Sequence, residues 1–212
     1  MANNGKNSNI VVGLDIGTSK VVCIVGKYNE AHKLEIISLG AYPSSGLKKG
    51  VVVNIDATTD AIKKAVEQAQ SMIEEKIRSV YVGIAGSHIK SLNSQGAVGI
   101  KDKEVTTYDI DRVIDSAQAV SIPSDQNVLH VLPQEYVIDG QEVSLDPLGM
   151  AGVRLEAKVH LVTCANSAVK NIEKCIRNCG LSVDGFVLEQ LASSHSILSE
   201  DEKDLGVCLV DI

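Results

Sequence analysis

Asn9-Ile10-Val11-Val12-Gly13-Leu14-Asp15-Ile16-Gly17-Thr18-Ser19-Lys20, followed at once by Val21-Val22-Cys23-Ile24-Val25, decides how this chain is read. Two apolar, β-branched runs flank a short polar turn, the pattern of a β-hairpin. The tip gathers backbone N–H groups, the hydroxyls of Thr18 and Ser19 and the Lys20 ammonium. That donor set suits the phosphates of a nucleotide. Gly17 has no Cβ to crowd an approaching phosphate. Asp15, at the end of the first strand, is placed to reach a magnesium ion through water. The spacing is not that of a Walker A loop, and no helix follows the glycines as a Rossmann turn requires. An ordinary hairpin tip also uses Gly and Ser, an Asp can simply cap such a turn, and Lys20 could be a solvated strand residue. On the loop alone both readings stand.

The rest of the chain sets the frame. It has 212 residues, 44% hydrophobic and 22% charged, enough for one large or two small cores. With no Trp and one Phe, the core falls to Val, Ile, Leu and Ala, which suits an α/β protein. A net charge of −7 leaves no basic stripe for nucleic acid. The acidity is uneven, with six basic against eleven acidic residues over 83–162. That fits either a module meeting a basic partner or a solvated acidic face. Residues 1–9 are polar and lack the apolar stretch of a signal peptide. No apolar run approaches the ~18 residues that span a bilayer. The five cysteines are scattered and read as reduced, buried thiols. The five histidines show no ligand spacing, and no nucleophile can be assigned.

Along the chain, residues 33–41 read as a third strand and 51–55 as a short extended run. A helix begins near 56–60, with Ile62, Ala65, Val66, Ala69 and Ile73 at helical spacing. Residues 80–85 form the next strand. Three meandering strands, a helix and a strand open a ribonuclease H-like core. Residues 83–162 then interrupt it with strands at 89–93 and 96–100, a helix over 109–120 and strands at 127–138 and 153–162. Ile110, Val113, Ile114 and Ala117 share one face of that helix, and Thr106 or Thr107 stands near its cap. Asp109, Asp111 and Asp115, on or near its exposed face, suit a basic tail. Strands around one helix make a small α+β module. The core resumes with a helix over 166–178 closed by Gly180, a strand over 182–188 and a helix over 189–198. A charged link over 199–204 and a strand over 206–212 complete the chain.

The strand–D-x-G-T-[ST]–strand pattern of residues 13–20 resembles the first phosphate loop of the actin-like ATPases. Further runs narrow this. Val80-Tyr81-Val82-Gly83-Ile84-Ala85-Gly86-Ser87-His88-Ile89 leads into the insertion. Its second half carries Gln134-Glu135-Tyr136-Val137-Ile138-Asp139-Gly140 and Asp146-Pro147-Leu148-Gly149-Met150-Ala151-Gly152-Val153-Arg154-Leu155. Leu188-Glu189-Gln190-Leu191-Ala192-Ser193-Ser194 follows the core strand, and residues 207–212 form a strand that precedes a second phosphate loop in such proteins. Together these resemble the FtsA family of bacterial cell-division proteins. The resemblance implies an α/β, actin-like (ribonuclease H-like) core with an inserted small α+β subdomain. Residues 9–82 and 163–204 would form subdomain 1A, 83–162 subdomain 1C and 205–212 the truncated first strand of 2A, after a disordered 1–8. It also implies a fragment of a longer protein.

For the site, the resemblance implies ATP and Mg2+ as cofactors of the intact protein. Gly17, Thr18, Ser19 and Lys20 would hold phosphates, with Asp15 and Asp211 on the magnesium side. Glu189 would orient the attacking water, with weak or no ATPase activity. A Glu at a helix start is equally what the helix dipole favours, so Glu189 keeps two readings. The family usually has Pro after this Glu; Gln190 departs from that but leaves the carboxylate. The implied function links FtsZ filaments to the membrane and recruits later division proteins through the insertion. Self-association into filaments is implied too, at the cytoplasmic face of the cell membrane. FtsZ binding and a C-terminal amphipathic membrane helix would lie in segments beyond this chain. Two alternatives remain: a pilus-assembly actin-like binding protein with a similar insertion, and a sugar kinase of the same superfamily, for which no sugar-binding carboxylate is apparent.

Overall fold

The computed structural model describes residues 10–143 and 146–210. The expected disordered start and Asp211 lie outside the described residues. The chain divides into two compact units: one runs up to Ser87 and resumes at Ser167, and the other is His88–Asn166.

The first unit opens with β1 (Ile10–Ile16), β2 (Lys20–Tyr28) and β3 (Leu34–Pro43). A small hairpin of β4 (Leu47–Lys48) and β5 (Val51–Val52) precedes α1 (Ile55–Gln70) and β6 (Ser79–Ile84). Alternation drives the strands: Val12, Leu14 and Ile16 are buried while Gly13 and Asp15 face out. Asn54 caps α1, its side-chain oxygen accepting from the Ala57 N–H at 3.0 Å. The helix lies on β2 and β3. Gly40 permits this, because a Cβ there would run into the Ala65 carbonyl. The Ser38 hydroxyl donates to the Ala69 carbonyl at 2.6 Å.

The second unit begins with β7 (Ile89–Gly99) and α2 (Thr107–Gln118), followed by β8 (Gln126–Ile138), β9 (Gln141–Val143) and β10 (Arg154–Ala165). Its strands form an antiparallel sheet in the order β7-β10-β8-β9, with α2 packed on β7 and β10. Val113 and Ala117 of α2 meet Tyr136, Leu155, Ala157, Val159 and Leu161 in its core. At Gly96 the helix backbone comes so close that a Cβ would collide with the Val113 carbonyl and the Ala117 N–H. Two expected strands, 89–93 and 96–100, are one: β7 pairs with β10 from Ile89↔Cys164 to Gly99↔Arg154, and an unbroken partner overrides the Ser94-Gln95 break. The helix starts earlier than expected because Thr106 forms a capping box with Asp109. Asp109 is therefore buried, not outward; it accepts from the Thr106 hydroxyl at 2.7 Å and pairs with Arg112 at 3.2 Å. Asp111 and Asp115 are exposed, as expected.

The chain returns to the first unit with α3 (Asn166–Asn178), β11 (Ser182–Leu188), α4 (Glu189–Ile197) and α5 (Glu200–Leu205). The sheet runs β11-β6-β1-β2-β3, parallel across β11, β6 and β1 and antiparallel beyond. Cys175 and Cys179 of α3 direct their thiols at the Ile55 and Thr59 carbonyls of α1, at 3.7 and 3.5 Å. Burial lifts the Cys23 and Cys179 thiols to about 11, so both stay protonated and inert. The expected charged link is helical: Ser199 and Glu202 form a second capping box. The expected strand over 206–212 does not form in its described part, 206–210, which is exposed and has no ladder partner.

Candidate functional site

Parallel strands leave a crevice where their carboxyl ends stop. Here β1, β6 and β11 end along one edge, with Leu14 opposite Val82 and Leu188 opposite Ile84. Register therefore brings Asp15 of the first strand with Gly17 just after it, Gly83 of the second with Ala85 just after it, and Glu189 after the third to the same margin.

The β1–β2 turn is closed by the Gly17 N–H donating to the Lys20 carbonyl at 3.0 Å. A Cβ on Gly17 would stand 2.9 Å from that same oxygen, so only glycine closes the turn without a shift. The Ser44 N–H donates to the Ser19 carbonyl at 2.9 Å and ties the tip to the end of β3. Thr18, Ser19 and Lys20 are exposed. Asp15 also faces solvent, yet the protein backing it partly desolvates its carboxyl and raises its pKa, with the Lys20 ammonium opposing.

Glu189 opens α4, where the helix dipole favours a carboxylate. Its side chain lies over Gly83: a Cβ on that glycine would come 3.1 Å from Glu189 Cγ and 3.3 Å from Oε1. Gly83 thus makes room for the carboxylate. Glu189 lines two cavities. One, of about 390 Å³, is shared with Asp15, Val22, Ile24, Tyr81 and Ser193. The other, of about 200 Å³, is shared with Gly17, Thr18, Lys49, Gly50 and Gly86.

The fold therefore brings Asp15, Gly17, Thr18 and Glu189 to adjoining cavities, while Ser19 and Lys20 line neither. Asp211 lies outside the described residues. Sequence reading missed Gly83 and the Lys49-Gly50 turn. The Lys-Gly pair is a turn signal, but nothing local shows which cavity such a turn will border. The donor set is hydroxyl, ammonium and carboxylate oxygen, with glycines where a phosphate must approach. Such a set fits a polyphosphate and a hard cation held partly through water. Among the described residues no three His, Cys, Asp or Glu side chains converge as a metal cage. None of the described helices is long and apolar enough to cross a membrane.

Comparison with known proteins agrees with this architecture. Residues 86–163 match the family model described as the SHS2 domain inserted in FTSA. The protein called cell division protein FtsA in Pseudomonas aeruginosa is 61% identical over 98% of this chain and 50% of its own length. Its namesake in Escherichia coli K12 is 45% identical over 96% of this chain and 48% of its own. The chain spans about half the length of the curated relatives it matches. Among solved structures, a chain of the PilM-PilN type IV pilus biogenesis complex superposes with a TM-score of 0.61 at 15% identity. That match covers 87% of this chain and 49% of the other. At that identity the likeness speaks to fold alone, and the fold is an actin-like α/β core with a small α+β insertion.

Proposed function

The chain belongs to the FtsA family, and from that premise we propose that its parallel-strand margin holds the phosphates of Mg-ATP in an actin-like division protein. Thr18, Ser19 and Lys20 grip phosphate oxygens through hydroxyl, backbone N–H and charge. Gly17 lets the backbone approach, and Asp15 takes the magnesium side through water. Bound ATP supplies a phosphoanhydride, and Glu189 is aimed to orient water toward it. Asp211 joins the magnesium side in this reading. The intact protein ties FtsZ filaments to the cytoplasmic face of the membrane, self-associates and recruits later division proteins through residues 88–166. The observation that supports the nucleotide reading most is the convergence of Asp15, Gly17, Thr18 and Glu189 on two cavities at the carboxyl ends of β1, β6 and β11.

An amide-resolved NMR titration of the chain with Mg-ATP tests it. The amides of residues 15–20 and of Glu189 shift together, with an affinity weaker than that of a full-length family member by orders of magnitude, since a site shared between two halves is only partly present. Gly83→Val drives a branched side chain into Glu189 and abolishes the response at that residue. Amides of residues 15–20 that ignore millimolar Mg-ATP overturn the reading.

A further inference from the structure

We propose that Lys49 is a phosphate-contacting residue, its ammonium directed by a tight turn at the outermost phosphate of a bound polyphosphate. This rests on the phosphate reading of the margin given above and adds a residue to it.

The β4–β5 hairpin pairs Leu47 with Val52 and Lys48 with Val51, leaving Lys49 and Gly50 as a two-residue turn. Both have positive φ, 51° and 76°, the signature of a type I′ turn. Such turns favour Asn, Asp or Gly at the first position, because a longer side chain pays about 1 kcal/mol or more in the left-handed region. His32 and Lys103 are also left-handed, with φ of 56° and 57°, but the β8–β9 hairpin turn, like the β4–β5 turn two residues long, follows the preference. Asp139-Gly140 forms the β8–β9 turn, with φ of 49° and 85°, and Asp139 justifies its place by accepting from the Val153 and Arg154 N–H groups at 3.2 and 2.9 Å. Lys49 forms no such local bond. A residue that breaks a local preference without a local reward marks a site where another demand wins.

The turn is also held in place. A Cβ on Gly50 would strike the Ala85 carbonyl, so the hairpin tip presses against the end of β6, beside the margin. There Lys49 lines the cavity of about 200 Å³ together with Gly17, Thr18, Glu189 and Gly86. Four lysines and three arginines of the described residues sit in ion pairs with carboxylates, and Lys49 is not among them. Its neighbour Lys48 belongs to the same hairpin but does not border the cavity. Lys49 and the β1–β2 turn border the same cavity, so its ammonium lies within a long side chain's reach of a polyphosphate that the turn would hold.

The test is a titration of the chain with Mg-tripolyphosphate at low ionic strength, read from the amides of residues 15–20. Four variants accompany it: Lys49→Gln, Lys49→Asn, Lys49→Arg and Lys48→Gln. The first two weaken the affinity about tenfold, the value of one charge-assisted contact. Lys49→Arg stays within about threefold. Lys48→Gln changes it less than twofold. Lys49→Asn, which suits the turn, raises the melting temperature while it weakens binding; a merely structural lysine would not separate the two. Affinities for Lys49→Gln and Lys49→Asn within twofold of the unsubstituted chain overturn the proposal, as does an equal loss in Lys48→Gln, which would mean diffuse charge. If the residue 15–20 amides of the unsubstituted chain ignore tripolyphosphate, the phosphate reading itself fails and takes this inference with it.

Discussion

Asp15 and Asp109 sit one in each unit, and their surroundings push them in opposite directions. Asp109 is buried at the start of α2, where the Thr106 hydroxyl, its backbone N–H and Arg112 stabilise the anion and lower its pKa. Asp15 ends a strand beside a cavity, where desolvation dominates and raises its pKa despite Lys20. In the 88–166 unit the carboxylate serves the fold. At the margin of the other unit partial desolvation disfavours the anion instead, as it does at many ligand sites. The same contrast runs through the glycines. Gly96 lets α2 seat against its sheet, a packing role, whereas Gly83 gives space to the Glu189 carboxylate. Parallel strands with crossovers end in a crevice at their carboxyl ends, whereas the helix of the antiparallel unit seats directly on its sheet.

The largest test removes one side of the comparison. Ile89 and Cys164 are directly opposite in the β7–β10 ladder, so the ends of the 88–166 unit lie about 5 Å apart. Replacing residues 88–166 by a short Gly-Ser linker leaves the remaining core folded, with one cooperative thermal transition and the same residue 15–20 response to tripolyphosphate. A broad, non-cooperative melt breaks the two-unit description.

Next in size, Gly96→Val forces a side chain into the α2 backbone and destabilises the 88–166 unit by about 3 kcal/mol or more. Gly99→Val, where a Cβ has nothing within 4 Å, is the control and changes little. Urea melts followed by amide signals from β10 separate the two. Equal effects would show that the helix does not seat as closely as described.

Asp109→Ala removes the capping-box carboxylate that accepts from the Thr106 N–H and hydroxyl, and costs about 1 kcal/mol. Asp109 also carries an acid dependence whose sign is set by its lowered pKa. Its stabilisation is present above the unfolded value of 3.8 and is lost as the pH falls through the lower folded value. Asp109→Asn, which keeps an acceptor but does not titrate, makes the acid limb of that unit shallower. Hydrogen exchange of α2 between pH 5 and pH 3 reads this.

The smallest effect has the opposite sign. The raised pKa of Asp15 means that folding disfavours its anion at neutral pH, a cost relieved as the pH falls toward 3.8. Asp15→Asn therefore raises the melting temperature of its unit at pH 7 and weakens binding of Mg-tripolyphosphate. A lower melting temperature would remove the contrast with Asp109.

Much of this was legible in the chain itself. The β-branched runs around residues 13–20, the helical stripe Ile62-Ala65-Ala69 and the interrupted core order depend on local period and turn chemistry, and they appear in the structure. The short helix over 200–205 is legible too, because Ser199 and Glu202 have the spacing of a capping box within the charged link. What sequence could not decide were relations between distant segments. The single long β7 depends on an unbroken partner from residue 154 onward. The inward turn of Asp109 depends on which hydroxyl caps the helix. Gly83 beneath Glu189 and Lys49 beside Thr18 are separated by more than a hundred and by about thirty residues. Local sequence sets backbone preference through steric and hydrogen-bonding terms within a few residues. Which side chain faces which cavity is set by strand register, and register is a property of the assembled sheet.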